Sequence, residues 1–281
     1  MPEPNRPNLA LMSVGSTEET IEIAPGAAMR LLVYPGAGRW RVLHLHGGAF
    51  SGSGSGSGSG CGERAVAAAL SAAGATVHST DYPAGSAHPF PAALDAAYAV
   101  LERLAGSRGR QKLFVAGEEA GGNLAAALAL MCRDRGRPKL AGQILLSPML
   151  DPRLGTCSVR TMEAGVAGCK WAIGWHEYLR TPDKAAHPYA APGLASRLTG
   201  LPPALVLTGP NDPMADEAIT YAARLRQSGV IVFEGRVEVG DAWPDALQGP
   251  ADPVPPWAAP VCAAARDFFK ASLCGTRKHH C

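Results

Sequence analysis

The first residue in this 281-residue chain placed to do chemistry is a glutamate at a tight corner. The segment Leu113-Phe-Val-Ala-Gly117-Glu118-Glu119-Ala120-Gly121-Gly122-Asn123-Leu124 runs from an apolar strand pattern through glycines into a helix. That is the form of a Gly-x-Ser-x-Gly elbow, whose central residue stands at the tip of a strained turn, here Glu119. A second segment, Leu43-His-Leu-His46-Gly47-Gly48-Ala49-Phe50, ends a strand in two glycines. Glycines there let the backbone turn sharply and aim N–H groups into a pocket, as stabilising an oxyanion requires. The donors expected are Gly47, Gly48, Ala49 and, from the elbow, Ala120. A third segment, Leu201 to Glu217, is a strand followed by Asp212 at its carboxyl end. A partly desolvated carboxyl beside such donors suits general acid or base work. Direct attack on carbon is the weaker option, and an inert residue the bland one.

These residues need a scaffold that brings strand ends together. Short apolar runs at 30–34, 41–45, 76–79, 113–116, 143–147, 204–208 and 230–233 predict strands. Helical periodicity occupies 63–73, 91–104, 122–135 and 215–228, with a last helix over about 257–271. Strand and helix alternating in this way predict an α/β fold, a mostly parallel sheet with helices on both faces and ligands at the carboxyl ends of the strands. Composition bounds the rest. Apolar residues make up 47%, aromatics 6%, and 26 basic residues nearly balance 24 acidic ones. No bulk charge draws the chain to nucleic acid or to an anionic membrane. No apolar run is long enough to span a bilayer, the first residues lack a signal-peptide pattern, and seven unpaired cysteines read as reduced thiols. A cytoplasmic protein acting on a small molecule follows, without metal or other cofactor. Its parts are a short N-terminal segment (1–28), a Gly/Ser loop of five Ser-Gly pairs (51–60) and a flexible tail (272–281) within one domain.

Together the three segments, with Asp81-Tyr82, His88-Pro-Phe-Pro91 and Leu145-Leu-Ser147-Pro148-Met149-Leu-Asp151, resemble the bacterial hormone-sensitive-lipase-like esterases of the α/β-hydrolase fold. The resemblance runs from about residue 30 to 247 in order. It implies that His46-Gly47-Gly48-Ala49 supplies the oxyanion hole, that Glu119 stands at the nucleophile position, and that Asp212 matches the triad acid. Three departures matter more. Glu119 offers no hydroxyl. Where the family carries its triad histidine this chain reads Val237-Glu-Val-Gly240-Asp241-Ala-Trp243-Pro-Asp245, and the only histidines after Asp212 are His279 and His280. The helical cap that usually precedes the sheet is short or absent, which implies a more open site, or one covered by a partner subunit or by the Gly/Ser loop. A homodimer is accordingly expected.

A triad needs a hydroxyl and an imidazole to take its proton. With both gone, the sequence predicts that the chain is not a serine esterase. It predicts instead non-hydrolytic acid/base chemistry on a small carbonyl compound: cyclisation, dehydration, isomerisation, lyase chemistry or epoxide opening. The alternative is an inactive binding module. Hydrolysis through a Glu-activated water is expected to give no rate above background. Glu119 and Asp212 form a carboxylate pair in one reading; in the other Asp212 is a relic held by backbone N–H groups. Asp241 is a weaker candidate for the same pocket, and Trp243 is expected to plug vacated space rather than stack on substrate. His46 is expected to orient the Gly-Gly turn. The resemblance implies an excursion over the site (152–200), in which Trp171, Trp175, His176 and Tyr178 line a pocket or pack as core, with Phe50 a further candidate for the pocket.

Overall fold

The structure, a computed structural model, describes residues 15–51, 64–106, 111–162 and 166–274. Within these the chain forms an eight-stranded sheet in the order β1-β2-β4-β3-β5-β6-β7-β8. The strands are β1 (Thr17–Ala24), β2 (Ala27–Tyr34), β3 (Trp40–Leu45), β4 (Thr76–Thr80), β5 (Lys112–Glu118), β6 (Gly142–Leu146), β7 (Ala204–Thr208) and β8 (Val232–Arg236). From β4 to β8 neighbours pair in parallel; β1 and β2 form an antiparallel edge joined to β4.

Alternation along the central strands explains the layers. Leu113 and Val115 of β5 face one apolar core with Leu43, Leu45, Leu145 and Val206, while Phe114 and Ala116 face the other with Val42, Ile144, Leu146 and Leu205. Successive side chains of a strand point to opposite faces, so a strand buried on both sides reads as a continuous apolar run. Helices α2 (Ala92–Gly106), α3 (Glu119–Arg135) and α6 (Ala215–Gln227) cover the first face. The second is covered by α1 (Ala65–Ala72) and α7 (Ala258–Cys274). The predicted α/β architecture is therefore the one found.

The structure fills in three stretches that the sequence left coarse. Within the short N-terminal segment (1–28), residues 17–24 form a strand, β1; Thr-Glu-Glu-Thr-Ile-Glu-Ile-Ala is mostly exposed and its isoleucines only pack against the core margin. Helix α7 continues through Cys274 into the segment expected to be tail, because Phe268 and Phe269 anchor its last turns in the core. Between β6 and β7, the excursion forms α4 (Cys157–Met162) and α5 (Val166–Leu179), and α5 lies across the site. The Gly/Ser stretch after Ser51 and the tail histidines lie outside the described residues. No described helix is long and apolar enough to cross a membrane.

Candidate active site

The corner between β5 and α3 is built from glycines that nothing larger fits. A Cβ on Gly121 would stand 1.9 Å from the Leu45 carbonyl oxygen, and one on Gly117 would stand 2.3 Å from that of Gly121. Helix α3 thus starts in contact with the end of β3, which forces Glu119 into the left-handed region at φ +52°. A non-glycine residue there costs of order 1–3 kcal/mol and persists only where its surroundings fix it. They do: the Glu119 carbonyl accepts from Met149 N–H at 2.9 Å, and Asn123 Nδ2 ties Met149 and Ala190 beneath it.

The Glu119 carboxyl is wholly buried and lies in the oxyanion turn itself. Its Oε2 accepts from the N–H groups of Gly48 at 2.5 Å and Ala49 at 2.9 Å, and from Gln248 Nε2 at 2.8 Å. Its Oε1 accepts from the Trp171 indole at 2.5 Å. The turn around these donors is strained, with Gly48, Ala49 and Phe50 at φ +122°, +50° and +58°. Of the four donors expected of the turn and elbow, two therefore meet the carboxyl. Gly47 turns its N–H to Glu118 Oε1 at 2.9 Å instead, and Ala120, buried at the start of α3, takes no part in the clasp.

Behind the turn lies a second buried network. His44 bridges Ser79 Oγ and Glu118 Oε2, each at 2.8 Å, and Glu118 in turn holds Gly47. Burial would raise the Glu118 carboxyl, but the charge and hydrogen bond of His44 and the Gly47 N–H bring it below the ordinary glutamate value. Arg64 reaches Ser79 Oγ at 2.7 Å and pairs with Asp81, so the back of the oxyanion turn is cross-linked to β4. His46 orients the turn through its own Nδ1, which donates to the Gly47 carbonyl at 2.6 Å, and its ring stacks on Tyr82. Burial, then the Arg64 charge, lowers its pKa to about 4, so it is neutral at pH 7.

Asp212 stands apart. Its Oδ2 accepts from Ser147 Oγ at 2.6 Å and its Oδ1 from Met214 N–H at 2.9 Å. Burial raises its carboxyl above the ordinary aspartate value, against the pull of Ser147 and the Met214 and Gly209 N–H groups. No hydrogen bond joins it to Glu119, so the expected carboxylate pair does not form; each acid has its own donors. Ser147, itself at φ +42°, supplies what a lone aspartate lacks.

The remaining expected residues divide. Phe50 stacks face to face on Tyr178 with ring centres 4.0 Å apart, and Trp175 tilts against both. The Trp175 Nε1 and Tyr178 hydroxyl are buried without partners. Trp243 is core, not pocket: it crosses Trp257 edge-on and presses on Gly209, where a Cβ would meet its ring at 2.2 Å. Asp241 is exposed on the loop before it. An open site is likewise not found, because α5 closes it: Trp171 caps Glu119, and Gly174 sits so close that a Cβ would fall 1.6 Å from the Ala49 carbonyl oxygen.

Gln248, Lys170, Glu118 and Ser147 have no assigned role in the sequence reading, which offers Trp171 as a pocket-lining residue and not as a partner of Glu119. A glycine amid the aromatic residues of α5 is the available signal for a helix seated on backbone. Gln248 carries none, since its reach depends on how the chain after β8 folds back.

A family profile described as alpha/beta hydrolase fold matches residues 42–238. Esterase LipI of Mycobacterium tuberculosis is 33% identical over 206 residues, 68% of this chain and 61% of that protein. Carboxylic ester hydrolase LipN of the same organism is 37% identical over 56% of this chain and 45% of its own length, so this chain spans less than two thirds of either. An esterase of Acinetobacter venetianus is 32% identical over 75% of this chain and 72% of its own. Among solved structures, a thermostable esterase from Pseudomonas putida superposes with a TM-score of 0.75 at 28% identity, covering 95% of this chain and 85% of that one. These findings overturn the expectation of non-hydrolytic chemistry, and equally that of an inactive binding module. The proteins this chain is similar to are named as esterases. Glu119 at the nucleophile position bears on one route to hydrolysis; it does not reach hydrolysis itself.

Proposed function

As the chain belongs to the α/β-hydrolase family, with esterases among its relatives, we propose that it hydrolyses a carboxylic ester with Glu119 as base toward water. One observation carries the reading: the carboxyl at the elbow lies within hydrogen-bond reach of the two backbone donors that an ester carbonyl oxygen would use. When substrate enters, its carbonyl oxygen takes the Gly48 and Ala49 N–H groups from Oε2. The carboxylate, still held at Oε1 by Trp171, then accepts a proton from the attacking water. Charge developing on the carbonyl oxygen meets preorganised donors, which usually contribute most to accelerating acyl transfer. Glu119 offers no hydroxyl, and its described hydrogen-bond partners include no histidine, which favours attack by water over a serine route.

The experiment is hydrolysis of p-nitrophenyl acetate by purified protein beside its Glu119→Gln variant, which keeps shape and loses the base. The expected result is turnover above buffer that the variant loses. Equal rates for protein, variant and buffer would sink the reading.

A further inference from the structure

A base alone does not complete ester hydrolysis. Breaking the alkoxy C–O bond leaves an electron pair on the departing oxygen. A nitrophenolate bears that charge unaided, whereas an alkoxide needs a proton as it leaves. In triad hydrolases the imidazole supplies it; here another group must.

Lys170 of α5 is placed for this. Its Nζ stands 4.0 Å from Glu119 Oε1, pairs with Asp245, and lies 4.7 Å from the centre of the Trp171 ring. Its side chain is 36% exposed, next to a carboxyl that is fully buried. Among the described residues it is the one cation in an ion-pair contact with Glu119. The 3-10 turn Asp245–Gln248 holds both partners at once, Asp245 on the ammonium and Gln248 on the carboxyl. Acid and base are therefore fixed side by side, one at the rim and one at the floor.

We propose that Lys170 is a further catalytic residue, the acid that protonates the leaving alkoxide. This rests on the hydrolytic reading above. In the balanced step, Glu119 takes a proton from water and the resulting hydroxide oxygen bonds to the acyl carbon. The alkoxy C–O bond then breaks, and its electron pair takes a proton from the Lys170 ammonium. The neutral amine recovers a proton from Glu119 across the 4.0 Å gap. Ester and water become acid and alcohol, and the protein returns to its starting state. Substrates of alkyl alcohols fall within this chemistry as readily as aryl esters.

The test is a series of acetate esters, from p-nitrophenyl to ethyl, with the parent protein, Lys170→Met and Lys170→Arg. Loss of the acid should cost about 100-fold or more on the ethyl ester and under about threefold on the p-nitrophenyl ester. Arginine keeps the charge but does not give up its proton, so it should fail on the ethyl ester as methionine does. A uniform loss across the series, or rescue by arginine, would overturn the proposal and leave Glu119 as base untouched. If the parent cleaves no ester at all, both readings fall. Asp245→Asn gives a check that leaves Lys170 in place. Removing the anion that holds the ammonium should slow the ethyl ester more than the p-nitrophenyl ester; an equal effect on both counts against the proposal.

Discussion

Two buried carboxyls stand at the carboxyl edge of one sheet, and they are treated differently. Glu119, after β5, is grasped from three directions: by the oxyanion turn, by α5 and by Gln248. Asp212, after β7, keeps the place of a triad acid but is satisfied by Ser147 and its own loop. One is bonded into the oxyanion turn, the other into the loop that carries it. The difference teaches that position in a fold does not fix a residue's work; its donors do. Where histidine is absent, an aspartate without a new donor would be a buried, unpaired charge, which costs several kcal/mol. Ser147 and the Met214 N–H offset part of that cost.

The sharpest way to break this contrast is to remove each acid in turn. Glu119→Gln should lower p-nitrophenyl acetate turnover by about 100- to 10,000-fold, whereas Asp212→Asn should change it by less than about tenfold. Comparable losses would show that both acids act together. Next in size is Gly174→Ala. The new methyl meets the Ala49 carbonyl, so α5 must lift, at a cost of about 1–3 kcal/mol of stability in denaturant unfolding. Trp171 fluorescence should change as the indole leaves Glu119.

Glu118→Gln tests the network behind the turn. The variant should lose about 1–3 kcal/mol at neutral pH, since Gly47 and His44 lose a charged acceptor. The folded carboxyl titrates below its unfolded value, so its contribution is whole above the unfolded value and fades as pH falls through the folded one. The gap between parent and variant should therefore close in acid, below about pH 4.5. Smallest is the stability effect of Asp212→Asn, a change within about 1 kcal/mol. Here the sign is reversed: burial raises this carboxyl, so its charge costs stability above the folded pKa and the cost is relieved as pH falls. Any gain from asparagine should appear at neutral pH and vanish in acid. A large loss instead would mark the Ser147 bond as indispensable.

The contrast also explains what the sequence made legible. Strands β2, β3, β5, β6 and β7 announced themselves by apolar runs and β4 and β8 by shorter apolar or β-branched stretches, and most ends fell within two residues of prediction. Strand β1 did not, since a hairpin edge needs apolar residues on one face only and Ile21 and Ile23 are its whole signal. At the site, Glu119, Gly48 and Ala49 were visible because short-range turn geometry fixes them. Lys170 and Gln248 were not, and Trp171 was visible as a pocket candidate but not as a partner of Glu119, because all three arrive from 50 to 130 positions away along paths that tertiary packing alone decides. The carboxylate pair failed for a related reason: motif order places Asp212 near the pocket, but Ser147 intercepts it.

The contact of Gly174 with the oxyanion turn has a consequence for substrate choice. Helix and turn meet through bare backbone, so a designer has no side chain at 174 to shave for a bulkier acyl group. Room gained by tilting α5 would withdraw the Trp171 indole and the Lys170 ammonium together. Breadth of substrate and readiness to react are thereby yoked, and variants selected for larger acids should turn over more slowly.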